Sequence, residues 1–201
     1  PDALLDFAQT MMASEARDGT QVTVRHGWPP IWEKPRHGKW VNIQPWEFGV
    51  LPAEWVREME QLDEAWVPTN YVRDCYIDSG VPADKVQVIP NGIDPEIFRP
   101  DAPALPIKTE KRYKFLFVGG TIGRKGPDIL LNTYLETFTA SDDVCLVIKD
   151  FGGKTFYAGQ TLAEVIEQAQ AQPNAPEIVY LDDDLPPEQV AGLYTACDCL
   201  V

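Results

Sequence analysis

The segment that most constrains the fold lies near the middle of the chain and reads FLFVGGTIGRKGPDILL over residues 115–131. Its first four residues are aromatic or aliphatic, which is typical of a strand buried in a parallel sheet. Glycines follow at 119, 120 and 123, and glycine allows the backbone to approach a bound group closely. Pro127 then suits the first turn of a helix, and the apolar residues after it recur at helical spacing. The segment therefore predicts a strand, a glycine-rich loop and a helix in succession.

Two adjacent cations, Arg124 and Lys125, lie in this loop just before the predicted helix. A helix N-terminus directs its free N–H groups and the positive end of its dipole toward the preceding loop. In a chain with a formal net charge of −14, this concentration of positive charge indicates a site for an anion such as a diphosphate. The glycine spacing matches neither the dinucleotide fingerprint nor the P-loop. Taken alone, the loop is also compatible with a tight turn that carries two solvated cations.

A second informative segment covers residues 64–100 and reads EAWVPTNYVRDCYIDSGVPADKVQVIPNGIDPEIFRP. It predicts a strand over 65–67, a helix capped by Thr69 or Asn70, and a second strand over 85–89. Together the two segments resemble the retaining glycosyltransferases of family 4, which have the GT-B fold. The resemblance is carried by PNGID at 90–94, FRP at 98–100, and the Val-Gly and Lys-Gly pairs at 118–119 and 125–126.

The resemblance implies an α/β, GT-B-like fold with two Rossmann-like domains that each contain a parallel sheet. We expect residues 1–104 to be the C-terminal part of an acceptor-side domain, and residues 105–201 to be the N-terminal part of a nucleotide-sugar donor domain. Each domain is expected to be incomplete, because the family's glycine-rich first strand and glutamate motif have no counterpart in this sequence. Incomplete sheets expose edges and apolar faces, so a homodimer is a further expectation.

In the resembled family the lysine of the Lys-Gly pair contacts the diphosphate of the donor, and Lys125 has this position. The resemblance thus implies a diphosphate site formed by the loop residues Gly119, Gly120, Thr121, Gly123, Arg124 and Lys125. Most members place an arginine directly after the first glycine, where this chain has Gly120. Either Arg124 substitutes for that arginine, or the diphosphate is bound more weakly.

The pattern of the second half predicts strands over 114–118, 144–148, 177–181 and 197–201, with helices over 161–171 and 187–195. The resemblance places Lys149, after the second of these strands, near the nucleotide, together with Asn91 between the domains. For Asn91 and Gly92 the preferred interpretation is a turn between the domains, which needs residues that tolerate positive φ. Asp150 belongs to the letters DFG, but no other kinase feature accompanies them, so we assign it no metal-binding role.

The stretch from Val22 to Trp55 contains five of the six tryptophans of the chain. Strands are predicted over 22–25 and 39–43, and open α/β sheets bind ligands just past the carboxyl ends of their strands. The residues at those positions include His26, Trp28, Trp46 and Glu47. In an acceptor site the tryptophans would stack on sugar faces, and His26 and Glu47 are the candidate catalytic residues.

Each of these residues also has a structural interpretation. Tryptophans can pack loops onto a core, which is our preferred interpretation for Trp40, Trp55 and Trp66. His26 is also compatible with a hydrogen-bonded loop histidine, and Glu47 with a residue that holds its loop through backbone N–H groups.

The composition excludes several classes of protein. The balance of 31 acidic against 17 basic residues disfavours general nucleic-acid binding, which needs a basic surface. The four cysteines form no CxxC pair and are interpreted as reduced core thiols of a cytoplasmic protein, with peripheral attachment to a membrane left open. With two histidines and no metal-ligand spacing, no metal site is expected. No apolar run is long enough to cross a membrane.

The resemblance implies transfer of a sugar with retention, without a metal ion or other cofactor. The donor would be a UDP- or GDP-type sugar, and the acceptor a carbohydrate, a lipid-linked molecule or a small molecule. This stretch of chain is expected to be inactive alone, because a GT-B site needs two complete domains. Two alternatives stay open: a non-catalytic nucleotide- or glycan-binding module of GT-B ancestry, and a nicotinamide-dependent Rossmann protein. The lack of a third glycine and of an acidic residue after the second strand argues against the latter.

Overall fold

The computed structural model describes Gly19 and residues 21–151 and 158–201. The chain divides into two compact units, Pro1–Gly92 and Ile93–Val201. Residues 93–104, which we assign from the sequence to the first domain, cluster with the second unit. From the sequence we also predict a helix over 3–16, and this segment lies outside the described residues.

The first unit contains a four-stranded parallel sheet whose strands follow one another in chain order. Its strands are β1 (Val22–His26), β2 (Lys39–Ile43), β3 (Glu64–Val67) and β4 (Val86–Val88), and its helices are α1 (Ala53–Met59) and α2 (Asn70–Asp78). At the start of α2, Thr69 Oγ1 accepts a hydrogen bond from the Val72 N–H at 3.2 Å. The predicted cap is therefore confirmed as Thr69.

One face of this sheet packs against α1 and α2. The core there combines Trp40 and Ala65 from the strands with Met59 and Tyr76 from the helices. The Tyr76 side chain is fully buried, and its hydroxyl donates a hydrogen bond to the backbone oxygen of Gln44 at 2.7 Å. This bond fixes the loop that leaves the carboxyl end of β2 against α2.

The second unit alternates strands and helices along the chain. Its elements are β5 (Tyr113–Gly119), α3 (Pro127–Thr137), β6 (Val144–Asp150), α4 (Ala163–Gln170), β7 (Glu177–Leu181), α5 (Pro187–Ala196) and β8 (Cys199–Leu200). All four strands are parallel and pair in the order β7-β6-β5-β8. Residues 145–150 of β6 are all buried, as expected for a strand that is covered on both faces.

Helices cover both faces of the second sheet. Leu131 of α3 and Ile166 of α4 pack on one face, whereas Leu193 of α5 packs on the other together with Leu105. Strands that alternate with crossover helices on both faces form a Rossmann-like arrangement. The predicted α/β fold with two parallel sheets is therefore confirmed.

Two local predictions are wrong. The strand predicted over 197–201 is confined to Cys199–Leu200, because Cys197 is still the C-terminal cap of α5. Neither Asn91 nor Gly92 is among the described residues with positive φ. The physical reason is that the chain passes through residues 89–94 without a turn, so no left-handed backbone is needed there.

None of the four cysteines is in a disulfide, and Cys75 and Cys145 are buried. Burial raises the pKa of the Cys145 thiol to about 11, and it raises the pKa of the Cys197 thiol to about 11 as well. These two thiols are therefore protonated at neutral pH, as expected for packing residues. Of the helices that the structure describes, none is both long enough and apolar enough to cross a bilayer.

Candidate functional site

The strand order of the second unit determines where a ligand-binding crevice can form. β6 and β7 lie on one side of β5, whereas β8 lies on its other side. In open parallel sheets, ligands bind at the carboxyl ends of the strands that flank such a switch point. The glycine loop, which we define as residues 119–126, leaves the carboxyl end of β5 and is therefore located at the switch point.

The backbone of the glycine loop prepares the start of α3. Gly123–Lys125 forms one 3₁₀-helical turn, and Gly126 follows with a φ of 66° in the left-handed region. A residue with a Cβ atom is strained at that φ, so glycine suits this position. Pro127 occupies the first turn of α3, where its missing N–H costs no hydrogen bond. The predicted succession of strand, loop and helix is confirmed.

The side chain of Lys125 lies across the end of β5. A Cβ atom built on Gly119 would be 3.5 Å from Lys125 Nζ and 3.4 Å from Lys125 Cδ. The ammonium group is thus held beside the last residue of the strand, while the Lys125 side chain as a whole is exposed. The structure therefore brings Gly119 and Lys125 together, with a cation beside a backbone that carries no side chain.

Two further charged side chains, those of Arg124 and Asp128, modify the electrostatic potential around the glycine loop. Arg124 is exposed in the same 3₁₀-helical turn as Lys125, so two cations face solvent. Asp128, which our reasoning from the sequence missed, is exposed in the first turn of α3. A carboxylate is favoured at a helix N-terminus and offsets part of the positive charge there. Asp128 therefore opposes part of the positive charge of Arg124 and Lys125.

A buried hydrogen-bond network holds the glycine loop against the sheet. Its centre is the carboxyl group of Asp150, the last residue of β6, which is 1% exposed. Asp150 Oδ1 accepts a hydrogen bond from the Thr121 backbone N–H at 3.1 Å. Asp150 Oδ2 accepts hydrogen bonds from Thr121 Oγ1 at 2.6 Å and from Tyr180 Oη at 2.7 Å. This set of Thr121, Asp150 and Tyr180, the Asp150 network, joins the carboxyl ends of β5, β6 and β7.

The position of Thr121 does not support a direct contact with a diphosphate. Its side chain is fully buried, and Oγ1 also accepts a hydrogen bond from the Leu162 N–H at 3.1 Å. The backbone oxygen of Thr121 accepts a hydrogen bond from the same N–H at 3.0 Å. The polar groups of Thr121 thus connect the glycine loop to the start of α4 inside the protein.

Lys149, predicted to lie near the nucleotide, is completely buried at the end of β6. Its Nζ donates a hydrogen bond to the backbone oxygen of Asp150 at 2.8 Å and lies 4.1 Å from the centre of the Phe151 ring. These contacts hold the ammonium group within the protein. A nucleotide would reach it only if this end of β6 rearranged.

From the sequence we also assign no binding role to Asp150. The expectation that no acidic residue follows the second strand of this domain is wrong, because Asp150 ends β6. An acidic residue two positions after the apolar run at 144–148 was the available signal. The carboxyl group is buried and accepts hydrogen bonds from Thr121 and Tyr180, so it is not presented to a ribose hydroxyl as in nicotinamide-binding proteins.

In the first unit, the candidate catalytic residues lie at the carboxyl ends of two neighbouring strands. His26 is the last residue of β1 and pairs in register with Ile43, the last residue of β2. The His26 side chain is exposed, and Glu47 is exposed in the loop that follows β2. The two loops therefore leave from adjacent carboxyl ends, where parallel sheets bind ligands. Asn91 is also exposed, as the next-to-last residue of this unit.

A tryptophan cluster, formed by Trp28, Trp32, Trp46, Phe48 and Trp55, lies beside the same strand ends. The ring centroids of Trp28 and Trp46 are 6.5 Å apart, and those of Trp46 and Trp55 are 5.0 Å apart. Phe48 lies 5.2 Å from Trp46, and Trp32 lies 6.1 Å from Trp55. Trp28 is 69% exposed. The structure thus brings the two predicted acceptor-side tryptophans together and leaves one of them accessible.

Three tryptophans, Trp40, Trp55 and Trp66, make contacts that support the protein structure. Trp40 is 1% exposed in the core, and the half-buried Trp55 packs against that core, so the structural interpretation is confirmed for both. Trp66 is half-buried, and its Nε1–H donates a hydrogen bond to Glu64 Oε2 at 2.8 Å.

Within the described part of the chain, no group of three or more His, Cys, Asp or Glu side chains is arranged to hold a metal ion. Metal independence nevertheless stays a prediction.

Residues 4–97 match the model of the family described as Glycosyltransferase Family 4. The match covers just under half of the 201-residue chain and includes nearly all of the first unit, whereas the glycine loop lies outside it. No curated protein matches the chain. The first unit is therefore similar to a glycosyltransferase domain of family 4, in agreement with the resemblance that the motifs indicate.

Proposed function

We propose that the chain functions in a retaining glycosyltransferase, which moves a sugar from a UDP- or GDP-type donor to a carbohydrate or lipid-linked acceptor. The second unit binds the donor, and the first unit binds the acceptor. The match of residues 4–97 to Glycosyltransferase Family 4 supports the reaction class. The donor, the acceptor and the stereochemistry belong to the proposal.

The main observation that supports the proposed donor site is the position of Lys125. Its ammonium group lies beside Gly119 at the end of β5, and β5 flanks the switch point of the sheet. A diphosphate placed there meets Lys125, Arg124 and the N-terminus of the eleven-residue helix α3. As the bond between sugar and diphosphate breaks, negative charge grows on the diphosphate, and these groups stabilise it. They supply the positive charge that a metal ion would otherwise supply, so the proposed reaction is metal-independent.

The proposed acceptor site is the exposed surface at the carboxyl ends of β1 and β2 in the first unit. The Trp28 side chain is 69% exposed and therefore accessible for stacking on a sugar ring, and the Trp46 ring lies 6.5 Å from it. His26 is proposed to orient the acceptor hydroxyl through a hydrogen bond, and Glu47 to accept its proton. Both side chains are exposed near these strand ends, which supports the proposed roles.

Calorimetric titration with UDP, GDP, ADP and NAD tests the donor site. We expect saturable binding of one nucleoside diphosphate and no binding of NAD. The Lys125→Ala variant should weaken that binding by about tenfold or more, since it removes a charge-assisted contact worth about 1.5 kcal/mol. Lys108→Ala is the matched control, because it removes an exposed lysine of the same unit outside the glycine loop.

Equal affinity of the wild type and of Lys125→Ala for the nucleoside diphosphate would show that the glycine loop is not the donor site. Binding of NAD in preference to the nucleoside diphosphates would instead favour the nicotinamide-dependent alternative.

A non-catalytic binding module is the second candidate function. Gly120 stands where the resembled family usually has an arginine, and Asp128 lowers the net positive charge of the loop. Both features weaken the stabilisation of a departing diphosphate. Tight nucleotide binding with no release of nucleoside diphosphate from UDP- or GDP-sugars, in the presence of carbohydrate and lipid-linked acceptors, would favour the module.

A further inference from the structure

A carboxyl group at the end of β6 is buried although no donor contact proposed above uses it. Burial of a carboxyl group is unfavourable unless hydrogen bonds replace those it makes with water. Asp150 accepts three such bonds from Thr121 and Tyr180. These donors belong to two other segments of the chain, the glycine loop and β7. The bonds therefore fix three segments relative to one another at the switch point.

We propose that Asp150 and Tyr180 are positioning residues that hold the glycine loop in the shape in which it binds a diphosphate. The inference rests on the proposed donor site. Thr121 lies between Gly119 and Lys125 in the chain, and Asp150 binds both its N–H and its hydroxyl. With Thr121 held in this way, the backbone on either side of it has little freedom to rotate. Lys125 is thereby kept across Gly119.

The burial of the loop residues shows which part of the glycine loop is anchored. Thr121 and Ile122 are buried, whereas Gly123, Arg124 and Lys125 are exposed. The Asp150 network thus fastens the inner half of the loop to the sheet. The cationic outer half stays accessible to a ligand.

Tyr180 is suited to this role over a wide pH range. Burial, together with the hydrogen bond to Asp150, raises the pKa of the Tyr180 phenol well above its ordinary value. The hydroxyl therefore remains a hydrogen-bond donor at neutral and mildly alkaline pH.

The test compares Tyr180→Phe and Asp150→Asn with Tyr134→Phe. The Tyr134 hydroxyl also donates a hydrogen bond within the second unit, to the backbone oxygen of Glu177 at 2.9 Å. Glu177 is the first residue of β7, so this bond lies at the amino-terminal ends of the parallel strands, whereas the glycine loop lies at their carboxyl ends. Tyr134→Phe therefore removes an equivalent group without touching the Asp150 network.

Two readouts are measured for each variant: affinity for inorganic pyrophosphate, and amide hydrogen exchange over residues 119–126. We expect Tyr180→Phe and Asp150→Asn to weaken pyrophosphate binding by about tenfold and to speed exchange at Thr121. Tyr134→Phe should leave both readouts at wild-type values. A merely structural role of Tyr180 would leave the pyrophosphate affinity of Tyr180→Phe at the wild-type value, and that result would contradict the inference.

Wild-type affinity and wild-type exchange in Tyr180→Phe would overturn the inference. If Asp150→Asn fails to fold, Tyr180→Phe still decides the matter. If the wild type binds neither pyrophosphate nor any nucleoside diphosphate, the proposed function fails. The exchange comparison then still decides whether the Asp150 network holds the loop.

Discussion

At the scale of single residues, the size of the side chain at position 119 decides whether Lys125 can lie across the end of β5. A Cβ atom there would be 3.4 Å from Lys125 Cδ, which is an ordinary van der Waals contact, so Gly119→Ala should bind nucleoside diphosphates as the wild type does. Gly119→Val adds two further methyl groups and is expected to displace the lysine side chain. Its affinity should fall by about tenfold although valine suits a strand.

Calorimetry and thermal unfolding of the two Gly119 variants check this prediction. Undiminished affinity in a folded Gly119→Val protein would show that the position of Lys125 across the strand end does not matter for binding.

The proximity of residues within one loop was predictable from the sequence. Gly119, Arg124 and Lys125 lie within a few positions of one another, so their proximity follows from the chain itself. The burial of Lys149 and Asp150 was not predicted, because the direction of a side chain at a strand end depends on neighbouring strands. The partner of Asp150 on β7 is Tyr180, thirty residues away, and no local pattern indicates that bond.

At the scale of elements, the packing of α5 depends on Gly192. A Cβ atom there would lie 2.7 Å from the backbone oxygen of Pro103 and 2.9 Å from the backbone nitrogen of Leu105. That nitrogen also donates a hydrogen bond to the Gly192 oxygen at 2.9 Å. Replacement of glycine by alanine in an exposed helix stabilises a protein by about 1 kcal/mol. Here the collision should dominate, and Gly192→Ala is expected to lower the free energy of unfolding by about 1–3 kcal/mol.

Chemical denaturation measures this loss. Gln189→Ala, at an exposed position of the same helix, is the control and should change the free energy of unfolding by less than about 0.5 kcal/mol. A Gly192→Ala protein as stable as the wild type would mean that α5 does not pack closely on the segment before β5.

The types of most elements were predictable because apolar periodicity and turn residues are local signals. The ends were less predictable, since they depend on contacts made elsewhere. The helix predicted over 161–171 is Ala163–Gln170. It begins after Leu162, whose N–H is bonded to Thr121.

At the scale of the whole molecule, β1 forms an edge of the described sheet of the first unit. Val24 on this strand is 48% exposed, and the backbone groups of an edge strand are available to pair with another chain. We predict a concentration-dependent homodimer that Val24→Lys weakens, because a charge on an edge strand opposes pairing. Val165→Lys is the control, since Val165 on α4 is 47% exposed.

Analytical ultracentrifugation over the micromolar range measures the association. A wild-type protein that stays monomeric throughout that range, or equal weakening by the two lysine variants, would contradict pairing through β1.

The strand order of the second unit could not be predicted from local patterns. β5 pairs with β8 through Phe115 with Cys199 and Leu116 with Leu200, more than eighty residues apart. Nothing in the sequence between them states at which edge β8 joins. The family match ends at residue 97, so the proposed donor site depends on this order and on the glycine loop.

The most direct test of the central claim is a crystal structure of the chain with a bound nucleoside diphosphate. Our account predicts that the diphosphate lies at the glycine loop, at the carboxyl end of β5, with a phosphate oxygen within hydrogen-bond distance of Lys125 Nζ. A diphosphate bound elsewhere, with the glycine loop in contact with solvent alone, would contradict the account.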